Sequence, residues 1–118
     1  MSWTLKQWIE LCSFPVAIAA GQILFKRAAG QLSGAGNWLV ELAQLPTMWV
    51  AIALYAGATL LWVRILTTIP LSRAYPFVAL AFVLVPAAGY LFFNESITPK
   101  YAFGTALIVA GVIVAARA

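Results

Sequence analysis

Apolar residues dominate four long stretches of this chain, and short polar segments separate them. The stretches run roughly over residues 7–28, 48–69, 74–93 and 101–116. A helix needs about 20 mainly apolar residues to cross the hydrocarbon core of a bilayer. The pattern therefore predicts an all-α integral membrane protein, with four transmembrane helices in a single domain over residues 1–118.

The segments between the stretches agree with this count. The first, "AGQLSGAGNWLVELAQLP", is rich in Gly and Ser and then turns amphipathic, which predicts a short surface helix around Trp38 to Leu45. "PLS" and "NESITPK" predict tight turns before the third and fourth helices, and Pro99 suits an early helix position.

Composition supports the same class. Of the 118 residues, 64% are apolar and 8% are charged, against about 45–50% and about 25% in ordinary soluble domains. The net charge of +4 comes from scattered basic residues, which does not favour nucleic-acid binding. With one cysteine (Cys12) and no histidine, we expect no internal disulfide, metal site or cofactor. No catalytic constellation is evident, so the sequence does not indicate an enzyme.

Basic residues give only a weak signal of orientation. Four helices place both termini on one side of the membrane. Four basic residues lie towards that side (Lys6, Arg64, Arg73, Arg117) and three towards the other (Lys26, Arg27, Lys100). This leans towards cytoplasmic termini by the positive-inside rule and leaves both orientations open.

Arg64 is an unusual residue, because it lies inside the second apolar stretch. It precedes the predicted helix end by about 9 Å, so its side chain could simply extend to the headgroups. A deep arginine still costs about 2.5–3.5 kcal/mol, and such residues are usually functional. Arg73 follows across the turn, and two guanidinium groups at one depth are suited to bind a phosphate. The Tyr75 hydroxyl lies nearby in sequence.

Other polar residues are candidates for the same site. Gln22 and Lys26 share one face of the first helix; Gln22 either contacts a ligand or forms an interhelical hydrogen bond. Glu95 is either a solvated turn residue or the partner of a cation on another helix. No Asp or Glu lies deep inside a predicted helix, which argues against proton-coupled export of cations.

Two further features concern motion and association. Pro86, in the middle of the third helix, predicts either a hinge or a static kink. Gly104 and Gly111 are seven residues apart, so they lie on one stripe of the fourth helix. The stripe predicts a dimer, although the glycines could instead pack within the chain.

Three stretches, "AAGQILFKRAAG", "IPLSRAYPF" and "LFFNESITPKYAFGTALIVAGVIV", resemble the four-helix members of the drug/metabolite transporter superfamily. "GTALIVAG" is similar to the dimer motif of small multidrug resistance proteins. That branch exchanges protons for cations through a glutamate in its first helix, and the matching position here is Ile18.

The resemblance is closer to the small EamA-like proteins, which are similar to subunits of the 4-amino-4-deoxy-L-arabinose–phosphoundecaprenol flippase. It implies a multi-pass protein of the bacterial inner membrane that translocates an undecaprenyl-phosphate-linked monosaccharide. A homodimer is expected, and a heterodimer with a related small subunit is possible. Two alternatives remain open, namely a proton-coupled exporter of cationic or guanidinium compounds and an accessory subunit of a larger transporter.

Overall fold

The computed structural model describes residues 3–118, and every regular element in this range is an α-helix. The helices are α1 (Leu5–Gly30), α2 (Trp38–Gln44), α3 (Pro46–Leu66), α4 (Leu71–Val78), α5 (Ala81–Phe93) and α6 (Pro99–Arg117). Within these residues, four spans have the length and hydropathy to cross a membrane: α1, α3, α4 together with α5, and α6. The predicted fold class of four transmembrane helices is confirmed, while the dimer stays a prediction.

Capping side chains and prolines determine where the helices begin. Thr4 and Gln7 form a capping box, so α1 starts at Leu5, ahead of the predicted residue 7. Pro46 and Pro99 occupy the first turns of α3 and α6, where a missing N–H costs nothing. The Thr98 hydroxyl caps α6 by accepting from the Tyr101 N–H.

The turn between the second and third spans lies three residues earlier than the sequence predicted, over residues 67–70 instead of 70–73, and Leu71 and Ser72 of the predicted "PLS" turn are helical. Helix α3 ends at Leu66, because the hydroxyls of Thr67 and Thr68 bond to backbone carbonyls of the last turn. Pro70 also disfavours helical geometry at the residue before it. The next helix starts directly after this proline, at Leu71.

The third span is divided into α4 and α5 at Ala79–Leu80. Here the N–H groups of Ala79 and Leu80 donate to the carbonyls of Pro76 and Phe77, which are the tighter bonds of a 3₁₀ turn. The interruption falls between the two prolines of the span, and Pro86 itself lies inside α5. A hinge at Pro86 stays a prediction.

A small surface unit joins α1 to α3. Helix α2 occupies the place predicted for a short surface helix, and the Asn37 side chain caps it. The Ser33 hydroxyl and backbone N–H both donate to the Glu41 carboxylate, and these two bonds lower the pKa of Glu41. The loop is therefore fastened to α2 by side-chain hydrogen bonds.

The molecule is thin, with extents of 53 × 36 × 19 Å. Because one helix with its side chains is about 10–12 Å wide, the slab is about two helices thick. Its core lies where α1 packs on α3 and α4, around Leu11, Ile65, Ile69 and Ala74. Helix α6 has no buried residue and packs mainly along α4 and α5. Most of its surface is therefore available to lipid or to a partner.

Candidate functional site: polar cavities at the two membrane ends

Arg64 is held by an ion pair at the end of the bundle that contains both termini. Its Nε lies 3.0 Å from Oε2 of Glu10 on α1. The Glu10 side chain is 15% exposed, whereas that of Arg64 is 61% exposed. One of five guanidinium N–H groups is used in this contact, so the others remain available to a ligand.

A cavity of about 430 Å³ opens beside this ion pair, and we name it the Arg64 cavity. Its lining comes from the start of α1 and from the end of α3: Thr4, Lys6, Gln7, Glu10, Arg64, Thr67 and Thr68. Two cations and one carboxylate give this lining a formal charge of +1. An anion such as a phosphate is therefore favoured here.

Arg73 lies at the same end of the bundle but has a different partner. Its Nη1 donates to the carbonyl oxygen of Ala116, 3.2 Å away, in the last turn of α6. A cation at a helix C-terminus is stabilised by the exposed carbonyls there. Tyr75 is exposed and contacts the ring of Trp62 edge-on. The contacts of Arg64 and Arg73 thus do not bring the two arginines together, and the phosphate clamp stays a prediction.

The opposite end of the bundle holds a second polar cluster. Nζ of Lys26 on α1 lies 3.6 Å from Oε2 of Glu95, which follows α5. Both side chains line a cavity of about 190 Å³, which we name the Lys26 cavity. The rest of its lining comes from α1 and α5: Gln22, Ile23, Val85, Ala88, Gly89 and Phe93.

The chain turn after α5 directs Glu95 into this cavity. Asn94 adopts a left-handed conformation with φ of 54°, and the Glu95 N–H donates to the carbonyl of Gly89. This is a common way to end a helix, and it folds the following residue back over the last turn. A Cβ at Gly89 would collide with the Glu95 carboxylate. Glycine at this position therefore leaves room for the acidic side chain.

Gln22 is fixed by a residue of α3. Its Nε2 donates to the Tyr55 hydroxyl, 2.6 Å away. A Cβ on the preceding Gly21 would overlap the Tyr55 ring, so glycine there allows the ring to lie against α1. The interhelical hydrogen bond that the sequence left open is present, and Gln22 also lines the Lys26 cavity.

Two clefts adjoin the Lys26 cavity: the first extends towards the middle of the membrane, and the second follows the turn after α5. One, of about 330 Å³, contains Gln22, Pro86 and Tyr101; the other, of about 450 Å³, contains Glu95 together with Pro86 and Tyr101. Ile18 lines the first cleft. The apolar side chain of Ile18 therefore occupies the position that matches the glutamate of the small multidrug resistance proteins.

Sequence reasoning missed Lys6, Glu10 and Tyr55. A signal for Glu10 was available, because it lies three residues after the predicted start of the first span and near the same membrane end as Arg64. Lys6 precedes Glu10 by one helical turn on the same face. Nothing local marked Tyr55, since it lies in an apolar stretch and its role depends on the approach of α1.

Gly104 and Gly111, the glycines predicted to mediate dimerisation, have free space beside them. A Cβ at Gly104 or at Gly111 would have no other heavy atom within 4 Å. Within residues 3–118, these glycines therefore do not serve close packing between helices of one chain.

The four spans and the polar cavities at their two ends define a small multi-pass membrane transporter. Residues 8–117 match the model of the EamA-like transporter family, and the chain belongs to this family. No solved structure matches the chain.

Curated relatives from bacteria carry the name "Probable 4-amino-4-deoxy-L-arabinose-phosphoundecaprenol flippase subunit ArnE". The protein of Hamiltonella defensa is 31% identical over 96 residues, covering 77% of this chain and 86% of its own length. The protein of Sodalis glossinidius is 42% identical and that of Salmonella enteritidis 33% identical, and each alignment covers 80% of this chain and 82% of the relative. The superfamily resemblance is confirmed, and the chain is a multi-pass protein of the bacterial inner membrane.

Proposed function

We propose that this chain moves an undecaprenyl-phosphate-linked monosaccharide from the cytoplasmic to the periplasmic leaflet of the inner membrane. The names of the relatives supply the substrate class. The role is transport rather than catalysis, because the cargo would be moved without making or breaking a bond.

One observation carries the proposal: a basic side chain faces an open cavity at each end of the bundle. Arg64 and Lys6 line the cavity at one end, and Lys26 lines the cavity at the other. A phosphate that crosses a membrane needs a favourable position near each interface, since an unpaired charge in hydrocarbon is costly. Guanidinium and ammonium groups provide such positions.

The remaining candidates have supporting roles in this proposal. Arg73 and Tyr75 contact the phosphate or sugar beside Arg64, while Gln22 does so at the other end. The Glu95 carboxylate neutralises the charge of Lys26 while no substrate is bound. Bending of the divided third span near Pro86 would alternate access between the two cavities.

A dimer fits the thin shape of the molecule. A slab about two helices thick cannot enclose a headgroup by itself, and the exposed glycine face of α6 offers a close approach to a second chain. The partner is a second copy or a related small subunit.

The rival function is the proton-coupled export of cations. That mechanism needs a carboxylate inside the membrane, but Ile18 lines the cleft near the membrane centre, and Glu95 lies in the turn after α5, paired with Lys26. The structure therefore offers less support for this rival than for the flippase.

Native mass spectrometry of the purified protein with its co-purifying lipids tests the proposal. We expect a dimer that retains a polyprenyl phosphate. Retention should fall at least tenfold in Arg64→Gln/Arg73→Gln or in Lys26→Gln, since each charge-assisted hydrogen bond contributes about 1.5–3 kcal/mol. Arg117→Gln is the matched control, because Arg117 lies outside both cavity linings. If no polyprenyl phosphate is retained and a quaternary cation binds in a way that depends on Glu95, the flippase function is refuted and the exporter function is favoured.

A further inference from the structure

An apolar groove of about 520 Å³ runs between α5 and α6. Its α5 wall and the following turn contribute Phe82, Val83, Pro86, Ala87 and Ile97. Its α6 wall consists of Tyr101, Ala102, Thr105, Ala106, Val109, Ala110 and Ile113. The small residues on α6 give the groove its depth, because alanine side chains leave the space between the two helices unfilled.

The groove adjoins the polar end of the protein. Pro86 and Tyr101 belong to its lining and also to the linings of the two clefts beside the Lys26 cavity. Those clefts reach Gln22 and Glu95, which line the Lys26 cavity. A polar compartment that holds the Lys26–Glu95 ion pair thus leads into an apolar trough that is open to the bilayer. This is the outline of an amphiphile with a polar head and a hydrocarbon chain, and the Lys26 ammonium is suited to bind a phosphate in that head.

The predicted dimer would not cover this groove. Successive residues of an α-helix are separated by about 100° around its axis. On this basis Gly104 and Gly111 lie about 140–180° from Ala106 and Ile113, on the opposite face of α6. A second chain packed on the glycines therefore leaves the groove facing lipid.

We propose that the groove between α5 and α6 binds the polyprenyl chain of the cargo while its phosphate lies in the Lys26 cavity. This inference rests on the proposed function and adds a chain-binding site to it. From Ala102 to Ile113 the groove extends about 16 Å at 1.5 Å per residue. That is about half of a hydrocarbon core of about 30 Å. The first isoprene units next to the phosphate lie in the groove, and the rest of the chain lies in the bilayer.

Chain binding here depends on packing rather than on the hydrophobic effect. Lipid tails are as apolar as the groove wall, so moving a chain from the bilayer into the groove gains little from leaving water. Close contact with the small side chains supplies the preference, and one additional large side chain removes it.

The experiment compares two phosphates that share a head but differ in chain length. Undecaprenyl phosphate and geranyl phosphate are titrated separately into protein in nanodiscs of defined phospholipid, and bound species are counted by native mass spectrometry. The test variant is Ala106→Phe/Ala110→Phe, which fills the groove and leaves the Lys26 cavity intact. The control is Ala56→Phe, at an exposed position of α3 outside the groove.

We expect the wild type and Ala56→Phe to prefer undecaprenyl phosphate by about tenfold, which corresponds to about 1.4 kcal/mol. The groove variant should bind geranyl phosphate as the wild type does and lose the preference for the long chain. A long-chain preference that survives in the groove variant would overturn the inference and leave the proposed function standing. Equal affinity of the wild type for both phosphates would also overturn it, because the groove would then hold ordinary phospholipid. If the wild type binds neither phosphate, the proposed function fails together with the chain site.

Discussion

The ion pair between Glu10 and Arg64 is asymmetric, because the Glu10 side chain is 15% exposed and the Arg64 side chain is 61% exposed. Arg64 can reach water and headgroups without its partner, whereas Glu10 cannot. We therefore expect Arg64→Gln to destabilise the fold more than Glu10→Gln does.

The expected magnitudes follow from this asymmetry. Breaking a fully buried ion pair costs about 3–5 kcal/mol, and an exposed pair contributes about 0.2–1 kcal/mol. Arg64→Gln should cost about 2 kcal/mol, since Glu10 loses its cation but keeps Lys6 one helical turn away. Glu10→Gln should cost about 0.5 kcal/mol, because the exposed Arg64 side chain reaches water and the new amide oxygen is a neutral acceptor close to it. The double variant should cost about 1 kcal/mol, less than the two single changes together.

Unfolding in mixed micelles, driven by a denaturing detergent and followed by tryptophan fluorescence, measures these differences without substrate. Arg117→Gln is a control for loss of a basic residue at the same membrane end. Its side chain has no described ion pair within residues 3–118, so we expect a change within about 0.5 kcal/mol. Equal costs for the two single variants, or strictly additive costs in the double variant, would refute the structural reasoning.

Two further predictions concern glycines. Gly21→Ala should lower the free energy of unfolding by about 1–3 kcal/mol, because its Cβ would overlap the Tyr55 ring. The control Gly57→Ala, in open space on α3, should be neutral or slightly stabilising. Thermal unfolding in detergent compares the two variants, and an equal effect would contradict the packing assigned to Tyr55. Gly104→Leu/Gly111→Leu should leave the monomer folded and shift the protein from dimer to monomer, as measured by single-molecule photobleaching in liposomes. A dimer that persists in this variant would place the interface on another face.

The sequence by itself determined the membrane class and the four spans. Both depend on quantities that are local to each segment, namely the length of an apolar run and the residues that stop it. Counting residues along a helix of known rise placed Lys26 near one membrane end. The same count placed Arg64 about 9 Å inside the second span, whereas α3 ends at Leu66 and Arg64 lies in its last turn.

The pairing of these charges was decided only by the tertiary structure. Arg64 contacts Glu10, and Arg73 bonds to a carbonyl of α6, although the two arginines are close in sequence. Glu95 contacts Lys26 because the turn at Asn94 folds it back. Such contacts depend on which faces of different helices meet.

Sequence patterns encode those faces poorly in a membrane protein. In water, an apolar stripe marks the side of a helix that faces the core. In a bilayer, lipid-facing and protein-facing sides are equally apolar, and packing between small and large side chains decides which faces approach each other. Gly21 allows the Tyr55 ring to lie against α1, and the alanines of α6 leave the groove beside α5 open. The approach of these helices therefore placed Tyr55 beside Gln22 and joined the groove to the Lys26 cavity.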